Sequence, residues 1–511
     1  MVATRLYCMA EEKGWLNAAQ AGFRKRRSCE DQDLRVTQAI SDGFQSKKRS
    51  VLVLLDYSKA YDKIWREELL LSMHATGVPA LILRWINGFL QNRQAKVSYN
   101  NVLSRSRRLR QGLPQRSVLA PLLFLFYINS VTENVPGSVN SALYDDDVSL
   151  LASHHDKASA VSDLQQAVDA VAMWSKKKKM TLNTDKSEVA FFSIDTHEAK
   201  WQPIISLNGS QLPFNVSPRL LGVYLDRTLS FSHHTDMVCK KASSRCRALA
   251  ALSTKEWGWR KRPMRKLYIS LIRSCMDFAA PAWQPWLSAT KFNALEVTQN
   301  KALCIMTGQA STTPVEALRA ESGICSYRTV SDQLCVKAYE KAARFPDDHP
   351  KRIALTDDCH HRLHRSSWRK HATELLSTLS SELQNREPVD PISDPFRRIP
   401  QQNWTVLTGT VCLSDVRDTE TLRREALSSI SMHGPADFII YTDGSASEGM
   451  HDGGAAAVIT TGPADHPTVV DTLRQRGRAI TSSYEEERCH ALGLGVDCSE
   501  QTSGHDSNLL R

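Results

Sequence analysis

The chain has 511 residues, enough for two to four domains of ordinary size, and its apolar fraction of 41% supports packed cores and excludes a wholly disordered polymer. Lys plus Arg number 65 against 55 for Asp plus Glu, and the resulting +10 is a mild lean toward polyanionic partners that decides nothing alone. The opening stretch MVATRLYCMAEEKGW has no apolar core before a cleavage site, so no signal peptide is expected there, and the reading is of a soluble, intracellular protein. Twelve cysteines lie scattered without a CxxC pair. The stretch Cys359 to His371 is rich in histidine but lacks a second cysteine, so a zinc site is not expected in it.

The first predicted element is a strand. Val51 to Leu55 is an unbroken apolar run, the pattern of a strand buried on both faces. Asp56 stands at its C-terminal end, and Ala60, Ile64, Trp65 and Leu69 then follow at helical spacing. A strand end fixes a carboxylate rigidly, but the same position suits an ordinary helix cap. Further on, Gly112 and Pro114 break the chain before an apolar helix or strand that starts at Val118. The run Ala120 to Ile128 is too short to span a bilayer. Next, Val139 to Tyr144 and Val148 to Ala152 read as a hairpin with Asp145, Asp146 and Asp147 at its tip. Three adjacent carboxylates repel one another unless a cation neutralises them, and Mg²⁺ prefers such oxygens. Asp56 and Asp146 are 146 − 56 = 90 residues apart, so only a fold makes them one two-metal site. The lysine run Lys176 to Lys179 reads as a solvated helix end.

In their fixed order these stretches resemble the reverse transcriptases of non-LTR (LINE-type, jockey/I-like) retrotransposons. LLDYSKAYDKIW is similar to the first catalytic motif, QGLPQRSVLAPLLF to the glycine-containing loop, and YDDD to the Tyr-Ala-Asp-Asp box. Flanking them, QAGFRKRRSCEDQ resembles the fingers motif and LNTDKSEVAFF the motif with an active-site lysine. LLGVYLDRTLSFSHH resembles the primer grip and RKLYISLIRSCMDFAAPAW the thumb helices. The resemblance covers roughly residues 1–330. It implies an α+β right-hand polymerase of palm, fingers and thumb. Asp56, Asp146 and Asp147 would hold two Mg²⁺ ions, with Mn²⁺ as an alternative. Tyr61 would lie under the incoming sugar, Gln115 against nucleotide and template, and Arg24 and Arg27 at the triphosphate. Lys186 would protonate the pyrophosphate. The implied partners are an RNA template, a DNA primer and deoxynucleoside triphosphates, without a membrane, and the location is nuclear if the protein is active.

Two positions depart from the family pattern. Asp145 replaces alanine, adding a carboxylate that raises neighbouring pKa values or misplaces a metal. Arg116 replaces a glycine whose bare backbone lies close to template and nucleotide. They set the main reading, an RNA-directed DNA polymerase, against an impaired retrotransposon remnant that binds nucleic acid without polymerising.

The expected domains are 1–205 (fingers and palm), 206–330 (primer grip and helical thumb), 331–433 (a Pro- and charge-rich linker with one helical segment) and 434–511. In the last, Phe438 to Tyr441 reads as a strand ended by Asp443, and Gly453 and Gly454 turn the chain into a second strand, Ala455 to Ile459. This resembles the start of a truncated ribonuclease H-like α/β domain, with Asp443 and Glu487 matching catalytic acids. That chemistry needs about four carboxylates around two metals, so no ribonuclease H activity is expected.

Overall fold

The computed structural model describes residues 2–253, 261–356, 362–363 and 367–377, together with the backbone of three later strands, residues 439–447, 451–461 and 468–476. The chain divides into two units, Lys13–Asp390 and, separately, Met1–Glu12 with Pro391–Arg511. Helix α1 (Val2–Glu12) belongs to the second unit.

The first unit is built on a four-stranded antiparallel sheet. The apolar run forms the middle of β1 (Arg49–Tyr57), where Val51, Leu52 and Val53 are fully buried. The sheet order is β2 (Val139–Tyr144), β3 (Asp147–His154), β1, β4 (Leu182–Phe192). Helices α2 (Cys29–Gln45) and α6 (Lys157–Lys177) both lie against this sheet, which is why β1 carries no polar alternation. Leu34, Ile40 and Phe44 of α2 share one core with Leu52, Leu151 and Phe192 of the sheet. Between β1 and β2 come α3 (Arg66–Ala75), α4 (Ala80–Leu90) and α5 (Ala120–Ile128). Helix α5 is apolar all round and almost wholly buried, as such a helix must be.

Helical periodicity was expected to begin at Ala60. Instead Lys59 takes a left-handed φ of 54°, a single 3₁₀ turn (Ala60–Lys63) follows, and α3 starts only at Arg66. The lysine run is not wholly solvated either. Lys178 is buried, with its Nζ 2.5 Å from Glu68 Oε1 and donating to Ser72 Oγ at 2.7 Å.

The helical part of the unit includes α7 (Ser232–Ala251), α8 (Ala289–Thr307), α9 (Tyr327–Ala343) and α10 (Trp368–Ser377). The boundary expected at residue 330 falls inside α9. Fully buried Tyr327, Ala342 and Trp368 extend the core that contains α2. It also returns to α2. Lys351 Nζ lies 2.7 Å from Glu30 and 2.8 Å from Asp31, and Arg362 donates to the carbonyl of Phe44 at the helix end (3.1 Å). Among the described residues no helix is long and apolar enough to cross a membrane.

In the second unit, strands Ile439–Ser447, His451–Thr461 and Thr468–Arg476 form an antiparallel sheet in chain order. Asp443 lies within the first strand opposite Ala456 rather than ending it, and Gly453 and Gly454 lie within the second strand rather than in a turn. Glu487 and Cys359 lie outside the described residues.

Candidate active site

Strand register gathers the acids. β1 and β3 pair from Arg49↔His154 to Leu55↔Val148, so one further step sets Asp56 beside Asp147. The β2–β3 hairpin closes with Tyr144↔Asp147, leaving Asp145 and Asp146 as its two-residue turn. On the other side of β1, β4 pairs Leu54↔Glu188 and then Asp56↔Asn183, so residues 184–187 bulge opposite Leu55. Ser187 Oγ in this bulge accepts from the Asp56 amide at 3.1 Å, and exposed Lys186 precedes it. The bulge thus delivers Lys186 to the edge that carries the aspartates.

Desolvation, followed by the Asp56 charge, pushes the Asp146 carboxyl above its usual range, against a lowering hydrogen bond from its own backbone amide. Desolvation and the charges of Asp146 and Asp56 raise Asp147 as well, although its exposed side chain lets water temper the shift. Among the described residues no three His, Cys, Asp or Glu side chains are grouped closely enough to hold a metal ion. The fit to a divalent ion is therefore one of donor chemistry. The crowded carboxylates of Asp146 and Asp147, whose charge is disfavoured, are hard oxygen donors of the kind that Mg²⁺ would take.

Asp145 faces a different group. It takes a left-handed φ of 57°, a region aspartate tolerates better than most residues. Gln20 clamps its backbone: Oε1 accepts from the Asp145 amide (3.0 Å) and Nε2 donates to the Asp145 carbonyl (3.1 Å). The Asp145 carboxylate accepts from the Tyr61 hydroxyl at 2.8 Å. The Tyr61 ring stacks on Phe124 of α5, with centroids 4.5 Å apart and planes at 18°. Burial pushes the Asp145 carboxyl up to about 7, the Tyr61 bond opposes this, and the charges of Asp146 and Asp147 add to it. Tyr61 is itself raised, first by burial and then by Asp145. The extra carboxylate is thus tied to Tyr61.

The segment before α2 and the first turn of α2 brace the hairpin. The Ala21 amide donates to the Leu143 carbonyl (2.9 Å), and Gln32 Nε2 donates to the same oxygen (2.9 Å). A Cβ on Gly22 would lie 2.3 Å from the Asp145 amide nitrogen, so the close approach requires glycine. Gln115 Nε2 donates to Asp62 Oδ1 at 2.7 Å, and the Leu113 amide donates to the Tyr61 carbonyl at 2.9 Å, which fixes this loop beside Tyr61. Arg116 is exposed with φ 63°, a glycine-like conformation. Arg24 and Arg27 turn inward: Arg24 Nη1 donates to the Asn17 carbonyl (2.9 Å) and Arg27 Nη1 to the Gln20 carbonyl (3.2 Å). The exposed cations of their loop are Lys25 and Arg26. Sequence reasoning marked the stretch Gln20 to Gln32 as a motif but gave Gln20, Gly22 and Gln32 no role, because no local pattern marks a hydrogen bond or contact across more than 100 residues.

Residues 1–225, which include the acid-bearing strand and the acid-tipped hairpin, match the family model described as reverse transcriptase (RNA-dependent DNA polymerase). The chain is 28% identical over 319 residues to the probable RNA-directed DNA polymerase from transposon BS of Drosophila melanogaster, covering 60% of this chain and 34% of that protein. It is 26% identical over 303 residues to the RNA-directed DNA polymerase from mobile element jockey of the same species, covering 57% and 32%. The chain thus spans about a third of the length of these relatives. Apo telomerase from Candida tropicalis aligns with a TM-score of 0.30 and 12% identity over 65% of this chain and 60% of that one, a similarity too low to bear on the argument.

Proposed function

We propose that the chain adds deoxynucleotides to a DNA primer 3′ end on an RNA template. The observation that carries this reading is the register that sets Asp56 of β1 beside Asp147 and the Asp145–Asp146 turn. Asp56, Asp146 and Asp147 are the residues to hold two divalent ions, Mg²⁺ or Mn²⁺. Bound there, the ions would ease deprotonation of the primer hydroxyl and neutralise the departing pyrophosphate. Tyr61, fixed by Phe124 and Asp145, is the platform under the incoming sugar, and Gln115 borders it. Lys186, on the bulge beside Asp56, is the proton donor to pyrophosphate. With Arg24 and Arg27 engaged by their own loop, their path to the triphosphate needs a rearrangement of that loop.

The test is primer extension with Mg²⁺. Asp56→Asn should lower the rate by about 100-fold or more, since ~2.7 kcal/mol of barrier corresponds to that factor, while circular dichroism shows the fold intact. Extension by a folded Asp56→Asn protein at the parent rate would refute the assignment. A second reading, a remnant that binds without polymerising, draws on Arg116, whose side chain occupies a glycine-like backbone position next to Gln115. It predicts no extension by the parent protein and recovery in Arg116→Gly.

A further inference from the structure

Between α4 and the loop that holds Gln115, the chain makes an excursion that the proposed chemistry leaves unused. Gln94–Ala95 pairs with Arg107–Arg108, and Ser98–Tyr99 pairs with Val102–Leu103. Asn100 and Asn101 close the ribbon, both left-handed with φ 47° and 60°, as a tight hairpin turn requires. Tyr99 stands opposite Val102, and Val97, two residues earlier, shares their face. These three side chains are 76%, 70% and 69% exposed. Around them, residues 93–110 carry Arg93, Lys96, Arg105, Arg107, Arg108 and Arg110 and no acidic residue.

An isolated two-stranded ribbon with an apolar face in water is not self-supporting, and such a face marks an interaction surface. Charge complementarity selects its occupant. Cations beside an exposed aromatic match single-stranded nucleic acid, with phosphates paired to the cations and a base stacked on the ring.

The root of the ribbon fixes where that strand would run. Arg66 of α3 gathers four carbonyls: Nε donates to Gly112 (2.9 Å), Nη1 to Leu90 (2.8 Å) and Leu109 (2.9 Å), and Nη2 to Gln111 (3.1 Å). The Leu109 amide donates to the Arg93 carbonyl at 2.8 Å, closing the neck. Four residues after Leu109, the Leu113 amide is bonded to the Tyr61 carbonyl. The arm is therefore rooted at the loop that borders Tyr61. We propose that it grips the single-stranded RNA template on its way to the site, an assignment that rests on the polymerase reading above.

The experiment compares two RNA-template/DNA-primer oligonucleotides, one with a long single-stranded template overhang and one with almost none. Binding is followed by fluorescence anisotropy across a salt series. Replacing four arm cations (Lys96→Gln, Arg105→Gln, Arg107→Gln, Arg110→Gln) should reduce the salt slope on the long overhang by up to about 3, at ~0.7 per single-strand phosphate contact. Affinity for the short-overhang substrate should hold. Tyr99→Ala should weaken long-overhang binding about fivefold or more. Thermal midpoints matching the parent show that the unit is folded. An unchanged slope and affinity on the long overhang would overturn the proposal, and so would an equal loss on both substrates, which would mark a duplex-binding arm. Failure of the polymerase reading has a separate signature, a parent protein that extends neither primer while the binding contrast persists.

Discussion

Asp145→Asn isolates the charge at the hairpin turn from its shape. Asparagine tolerates the left-handed φ of 57° and keeps an oxygen to accept the 2.8 Å bond from Tyr61. Only the negative charge goes. In the folded protein this carboxyl titrates at about 7 instead of its ordinary 3.8. The folded state then holds the proton more tightly than the unfolded chain does. The stability this supplies is fully present below pH 3.8 and is lost as pH rises through 7. A span of about 3 pH units at ~1.4 kcal/mol each gives about 4 kcal/mol. Asp145 is partly open to solvent, so roughly half, about 2 kcal/mol, is the working expectation. Asp145→Asn should exceed the parent by that amount at pH 8, with the gap closing toward parity near pH 4. Asp145→Ala should fall below Asp145→Asn, because alanine accepts no bond from Tyr61 and pays ~1–2 kcal/mol in the left-handed region. The assay is urea unfolding followed by circular dichroism, in EDTA so that no ion alters the neighbouring charges. An Asp145→Asn protein no more stable than the parent at pH 8, or a gap that ignores pH, would refute the reasoning.

Gly22→Ala should destabilise the unit by roughly 1–3 kcal/mol and depress primer extension, because the new methyl meets backbone at 2.3 Å and the hairpin turn must shift; parent-like unfolding and extension would count against the bracing role of this segment. His234 is buried, accepts the Tyr224 amide on Nδ1 at 3.3 Å, and has its pKa pulled down to about 4, chiefly by burial and then by the charges of His233 and Arg219. Its folded pKa lies below the ordinary 6.5, so stability is lost as pH falls from 6.5 to 4, by up to about 3 kcal/mol. His234→Asn should flatten that part of the stability profile, and an unaltered slope in urea unfolding would exclude His234 as its source.

What the sequence shows well is whatever is written in consecutive side chains. The run Val51 to Leu55 marks β1, the apolar block Ala120 to Ile128 is α5 from end to end, and Val139 to Tyr144 is β2. In each case burial alone decides the pattern, so composition and period suffice. Asp56 and the hairpin acids were legible as candidates because a strand end and a turn are local features. Their neighbouring places in the register were not, since pairing is set by the whole sheet. Asp145 shows the limit most clearly: three adjacent aspartates look alike on paper, and only a partner 84 residues away separates one of them from the others. Arg24 and Arg27 look like free cations until their own loop curls its carbonyls around them. Proline and charge mark the segments after residue 330 as linker in the sequence, while α9 runs across that position and buries its own apolar side.

The closure of α2 by Lys351 sets a timetable for synthesis. Glu30 and Lys351 are separated by 321 positions, and Asp31, wholly enclosed in the finished protein, takes its counter-ion from that same lysine. At about 5–20 residues per second, a ribosome needs roughly 15–60 s to travel between them. Throughout that interval Glu30 and Asp31 lack the cation that neutralises them in the finished protein. Enclosing Asp31 together with its counter-ion is therefore a late step, open only once the far end of the unit has been made.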